Sequence, residues 1–232
     1  MSGFLPLERT TLSSPAWFVP FDEFARRVRA TGVSVLLDRF ADGVWVPQDT
    51  EAVRTPSAAI AYPGLGARAA TEQRHRARFA AAGYQPLYPA DGEPFSADAN
   101  GIEFVVSPAS TAAAEPRLVR LLPAVSFPYP PGTRTVRGVV LDALTRAPVV
   151  NALVEARGAT NADFVPWHER TLSGAEGAFR LALRWEGQKA GETSVEETFH
   201  LEATERPGRS GALTVRLPQD GETRHVIEIR QQ

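Results

Sequence analysis

Nineteen prolines and eighteen glycines are scattered along the 232 residues instead of gathered in one region. Proline removes a backbone donor and glycine weakens any regular element it interrupts, so little room is left for long helices. What fits between the breaks is short extended segments. The C-terminal half shows them most plainly. TVRGVVLDA, starting at Thr135, alternates its apolar residues, and ALVEAR sets Leu153 and Glu155 opposite Ala152, Val154 and Ala156. GAFRLALRW places Phe179, Leu181 and Leu183 on one side and Arg180, Ala182 and Arg184 on the other. FHLEAT, ALTVRL and HVIEIR repeat this period of two, the mark of half-buried strands. Turn signals such as SGAEG, RPGRSG and QDG separate them. Six or seven such strands describe an antiparallel sandwich.

The N-terminal half is less direct. FDEFARRVRA carries Phe21, Phe24 and Val28 at helical spacing and taken alone reads as a short amphipathic helix. An internal comparison points elsewhere. FDEFARRVRATGVSVLL can be laid on LDALTRAPVVNALVEA, matching Asp22 with Asp142, Phe24 with Leu144, Arg26 with Arg146, Gly32 with Asn151 and Val35 with Val154. Further on, RTPSAAIAYPGL from Arg54 resembles RTLSGAEGAFRL from Arg170, and Ile60 falls opposite Phe179. A matched order of several elements at nearly matched spacing signals duplication. The expectation is an all-β chain of two tandem antiparallel sandwiches of immunoglobulin or transthyretin type, with residues 1–131 and 132–232 as the two domains. It includes equivalent turns for the two Arg-Thr-x-Ser copies. RLVRLLPAV, before the proline-rich hinge FPYPPGT, reads either as the strand that closes the first domain or as a shared seam.

Charge and composition narrow the function. With 25 basic and 27 acidic residues the net charge is −2, and no basic face for nucleic acid is announced. The absence of cysteine excludes disulfides, thiolate metal sites and cysteine nucleophiles. MSGFLPLERTTLSS is broken by Pro6, Glu8 and Arg9, and no run approaches the ~18 apolar residues of a membrane span. A cytoplasmic protein without a membrane span is expected.

The order Asp-x-x-Thr-x-x-Pro-Val, Asn-Ala-x-Val, then Arg-Thr-x-Ser-x-x-x-Gly-x-Phe-x-Leu resembles the carboxypeptidase regulatory-like domain, a transthyretin-like β-sandwich module. LDALTRAPVVNALVEA and TLSGAEGAFRL carry that resemblance over about half of the C-terminal domain. The first domain follows it more loosely, lacking a proline where Pro148 stands and a glycine where Gly177 stands. In physical terms these residues make turns: Asp142 and Thr145 can bond backbone amides, and Gly177 suits a positive φ. The resemblance implies an accessory module without chemistry of its own.

The candidate sites agree with that. His75, His168, His200 and His225 show no metal-ligand spacing, and His168-Glu169, one apart on a strand, would point to opposite faces. Asp91, Glu93, Asp98 and Asn100 in ADGEPFSADANG are spaced too loosely for a calcium loop. No serine stands in a nucleophile elbow, and the glycines of YPGLGARA precede no Gly-Lys-Ser/Thr. No enzyme activity, cofactor or metal is expected. The remaining feature is aromatic residues beside proline in PAWFVPF, GVWVPQ, GYQPLYP, SFPYPPG and DFVPWHE, read here as contact loops, because rigid rings anchor interfaces. Trp45, Tyr88, Tyr129 and Trp167 are the interface candidates. The partners expected are other subunits of a larger assembly. The tandem arrangement, with RTPSAAIAYPGL from Arg54 and FAAAGYQPLYP from Phe79, also resembles proteins of phage tails and phage-tail-like contractile injection particles. The alternative is a carbohydrate- or cell-surface-binding module using Trp45, Trp167 and Trp185 as its platform.

Overall fold

The computed structural model describes residues 13–67, 70–108, 114–159, 165–184, 197–221 and 223–232. The first half contains β1 (Trp17–Asp22), β2 (Arg27–Val28), β3 (Val33–Ala41), β4 (Val44–Gln48), β5 (Val53–Arg54), β6 (Ile60–Ala61), β7 (Gln73–Ala81), β8 (Tyr84–Leu87), β9 (Ile102–Val106) and β10 (Pro116–Pro123). The second contains β11 (Thr135–Asp142), β12 (Leu153–Ala159), β13 (Pro166–Leu172), β14 (Ala178–Ala182), β15 (Glu197–Arg206), β16 (Arg209–Leu217) and β17 (Arg224–Gln231). The chain is thus nearly all β, in a two-domain arrangement.

The strand orders correspond one for one. The first half runs β4-β3-β7-β8-β10-β1-β6-β5 and the second β13-β12-β15-β16-β17-β11-β14. Among the described residues only β5, at the end, and β9, on the side, are additions of the first half, since β2 has its counterpart in the single antiparallel bridge between Leu141 and Pro148. Pairing is antiparallel except that each half joins its first strand to its last in parallel, β1 to β10 and β11 to β17. Registers agree as well: Phe18 faces Ile60 as Gly138 faces Phe179, and Asp22 faces Leu121 as Asp142 faces Ile229.

Local chemistry explains the shared turns. After β1, Asp22 Oδ1 accepts the Ala25 amide at 2.9 Å; after β11, Asp142 Oδ1 accepts those of Leu144 and Thr145 at 3.0 and 2.6 Å. Each turn ends on an arginine at positive φ, Arg26 at 54° and Arg146 at 60°. The Arg29 amide then bonds Pro20 O, as Val149 bonds Val140 O. FDEFARRVRA is therefore a strand, a tight turn and a two-residue strand, and its helical period reflects no helix. Gly32 and Asn151 share a positive φ, as do Ala58 and Gly177, so an alanine carries the conformation that the second half assigns to glycine.

The two Arg-Thr-x-Ser copies are not equivalent, which corrects the expectation. Arg54 pairs with Ile60 across the β5–β6 hairpin, and Thr55 Oγ1 accepts the Ala59 amide at 3.1 Å. Arg170 and Thr171 instead lie within β13, and buried Ser173 ties the Ala152 amide to Val149 O. The true equivalents are Thr55 and Gly174, whose amides bond Ala59 O and Ala178 O. A four-residue match three places out of step was chance, although the units around it correspond.

Alternation fills each core. In the second half, sheet β14-β11-β17 covers β13-β12-β15-β16 around Val140, Val154, Phe179, Leu201 and Ile227. The first core gathers Phe18, Leu37, Ile60, Phe79, Ile102 and Leu121, with the rings of Phe18 and Phe79 edge to face at 5.3 Å. A third cluster, Leu87, Leu122, Leu153 and Leu172, draws on both halves. RLVRLLPAV serves in both of its expected roles: β10 closes the first sheet, and Leu122 enters the shared cluster.

Candidate functional site

The seam between the halves holds two of the deeply buried carboxylates among the described residues. Glu23, in the turn after β1, and Glu169, on β13, are 1% and 3% exposed. Glu23 Oε1 accepts Arg170 at 2.6 Å and Arg26 at 3.3 Å, and its Oε2 accepts Arg120 at 2.9 Å. Glu169 Oε1 accepts Arg184 at 2.6 Å and Arg26 at 3.1 Å. Arg26 therefore bridges both carboxylates and also donates to His168 O at 2.6 Å. Its positive φ aims the side chain across the seam, as the equivalent Arg146 is aimed at Glu228.

Burial alone would raise the Glu23 carboxyl, but the hydrogen bonds and charges of Arg170 and Arg120 overcome it and hold the group below its ordinary value. A carboxylate so occupied is a poor general base, because its lone pairs already accept guanidinium protons. The arrangement clamps two surfaces together. Thr171 Oγ1 adds a bond to Pro123 O at 2.7 Å, and the Ala97 amide one to Glu205 O at 2.8 Å.

Beside this network lies an aromatic nest. Phe24, Phe127 and Tyr129 meet edge to face with centroids 4.7 to 5.5 Å apart, and Tyr84 joins Phe127 at 5.0 Å. Tyr84 donates to Asp22 Oδ2 at 2.6 Å, while burial and that bond push its phenol up to about 12. The Arg180 guanidinium stacks 4.7 Å from the Tyr129 centroid.

The four interface candidates are not brought together. Trp45 is half-buried on β4, edge to face with Phe40 at 5.1 Å, with the Arg76 guanidinium 4.6 Å from its centroid. Tyr88 packs on the first core and its hydroxyl accepts the Phe79 amide at 3.2 Å. Tyr129 belongs to the seam. Trp167 is a core ring at 9% exposure, 6.0 Å from Phe199, which corrects its reading as an exposed anchor. Trp185 lies outside the described residues. Four of the five aromatic-proline stretches are strands for much of their length instead of loops: PAWFVPF is mostly β1, GVWVPQ β4, GYQPLYP β8, and DFVPWHE leads into β13. Alternation on β13 buries Trp167 and Glu169 and turns His168 outward, where its Nε2 lies 3.5 Å from Glu155.

Asp91 is held by Arg120, and Glu93 accepts the Ala90 amide at 2.7 Å and pairs with Arg117 at 3.5 Å. Among the described residues no group of three or more histidines and carboxylates is placed to hold a metal ion, and no helix is long and apolar enough to cross a membrane.

The residues of the seam were out of reach of sequence reading. Glu23, Arg120, Glu169 and Arg184 carry no local signal, since their partners lie up to some 147 positions away.

No protein family and no curated protein matches the chain. Among solved structures it is similar to a streptococcal ancillary pilin at 13% identity and TM-score 0.30, covering 97% of this chain and 64% of the pilin. It is also similar to the shaft pilin SpaA of Lactobacillus rhamnosus GG at 11% identity and TM-score 0.26, covering 96% of this chain and 98% of the other. The chain thus spans just under two thirds of the ancillary pilin. At this identity and overlap the likeness says nothing about function.

Proposed function

We propose that the chain is a non-catalytic structural subunit, and that the assembly it joins is a phage tail or phage-tail-like contractile injection particle put together in the cytoplasm. The observation that carries the subunit reading is the seam. Two carboxylates and four arginines, with the Leu87–Leu122–Leu153–Leu172 cluster, join two similar sandwiches into one unit. Such a unit suits a part that acts by occupying a place. The particle is supported by the resemblance of the tandem turn motifs, a fold-level analogy. Deleting the gene in a producing cell and imaging the particles tests it: incomplete or unstable tails are expected, and normal particles would sink it.

A second reading, glycan or cell-surface binding, is favoured by one surface. On the outer face of β4-β3-β7, Trp45 and Phe40 stand beside Arg74 and Arg76, and Arg76 is itself fixed by Asp38 at 2.7 Å. Aromatic platforms with ordered polar neighbours suit sugar rings. Saturable binding on a glycan array, lost in Trp45→Ala, would support it.

A further inference from the structure

Three arginines lie in one row across the outer face of the second sandwich. Arg137 on β11 is directly opposite Arg180 on β14 and Arg224 on β17. Like charges in directly opposed positions destabilise a sheet, and neighbouring strands are about 4.8 Å apart. Most arginines of this chain are paired with carboxylates, yet none of these three forms such a pair among the described residues. Glu228, further along the same face of β17, is taken by Arg146 and Arg230. Arg180 is partly ordered, stacking on Tyr129 and donating to Phe127 O at 3.2 Å, while its Nε lies buried without a partner.

The first half shows that the fold does not require this row. By register, Trp17 stands where Arg137 stands, opposite Ala61 and Pro116. The same strand order is thus built with apolar residues at all three positions. The row lines a cleft of about 760 Å³ together with Val125, Thr135 and Ala178. The next register row is Ala178, Val139 and Val226, and Val226 and Val125 are exposed.

We infer that this cleft binds an acidic, aliphatic segment of a partner protein, its carboxylates over Arg180, Arg137 and Arg224 and its apolar side chains on Val139, Val226 and Val125. Charge complementarity selects an anion, and guanidinium geometry suits carboxylates. The valines beside the row select a protein segment over a nucleic-acid backbone or an inorganic oxyanion, neither of which has aliphatic groups to place there. The inference rests on the subunit reading above and names the chemistry of the partner.

The probe is a fluorescein-labelled octapeptide of alternating Glu and Val, titrated with the full chain by anisotropy at low ionic strength. Saturable binding is expected, weakening with salt, about tenfold weaker in Arg137→Ala and weaker again in Arg137→Ala/Arg224→Ala. Both residues are exposed, so both variants keep the wild-type circular dichroism, and Arg74→Ala on the other sandwich binds as the wild type does. Absence of saturable binding, equal binding by the row variants, or displacement of the peptide by oligothymidylate or phosphate at equal charge concentration would overturn the inference. A chain that enters particles without binding the peptide sinks the arginine row alone. A chain found in no assembly sinks the subunit reading, whatever the peptide does.

Discussion

Removing the Glu23 carboxylate should cost the fold about 3 kcal/mol, nearly all of it through Arg170. Glu23→Ala strips an acceptor from three guanidiniums, but they do not suffer equally. Arg26 is 42% exposed in its side chain and keeps Glu169; Arg120 keeps Asp91. Arg170 is only 11% exposed, and its Nε already lacks a partner. Truncation leaves a buried unpaired cation, the situation in which breaking an ion pair costs about 3 to 5 kcal/mol, and the low end applies because water can reach the vacated site. The assay is urea unfolding at neutral pH, with Glu103→Ala as control. Glu103 pairs with Arg74 where both side chains are more than half exposed, and such a pair contributes under ~1 kcal/mol. A cycle with Arg170→Met should recover much of the loss, because the double variant leaves no buried charge. The pH dependence has a definite sign. Glu23 sits below its ordinary value of 4.5 in the fold, so its stabilisation is present above about 4.5 and is lost as pH falls through the folded value. The gap between wild type and Glu23→Ala should close there. A cost no larger than that of Glu103→Ala, or a gap independent of pH, would refute the clamp.

Further outcomes follow from the cores and turns. Phe179→Ala and Trp167→Ala should each cost about 3 to 5 kcal/mol in chemical denaturation, since both rings are core; a surface-like cost for Trp167 would restore its reading as an anchor. Ala58→Gly should stabilise by about 0.5 to 1 kcal/mol by relieving a positive φ, whereas Gly177→Ala should cost about 2 kcal/mol or more, its Cβ meeting Val140 O at 2.3 Å. His75 is 1% exposed with an unpartnered Nδ1, and burial and then Arg39 lower its pKa from 6.5. Its contribution is therefore full above about 6.5 and is lost as pH falls below that value, so His75→Phe should flatten stability between pH 7 and 5. An unchanged slope would show that another group titrates.

What was legible in the sequence is what turns encode. Asp22 and Asp142, Arg26 and Arg146, Gly32 and Asn151 could be matched because a side-chain acceptor or a positive φ restricts residue choice locally. Strand alternation located most of the second sandwich for the same reason. It missed β13, where PWHERTL mixes a proline, a tryptophan, a histidine and two charges, because neighbouring side chains of that strand, Glu169 and Arg170, both reach the seam instead of solvent. The Arg-Thr-x-Ser match misled because short polar motifs recur without shared geometry. The seam and the arginine row are properties of register and docking. Arg137, Arg180 and Arg224 each look like an ordinary outward residue of its own strand, and only the pairing of β14, β11 and β17 sets them side by side.

A chain that acts by occupying a place in a larger assembly should reveal itself in sedimentation. The tagged chain would be followed through a gradient of a gently lysed producing culture, with mass spectrometry of each fraction. It should travel with a high-mass particle at a fixed ratio to that particle's other subunits. A chain that sediments only as a free monomer through every stage of growth, while the purified protein binds a glycan with saturation, would contradict it.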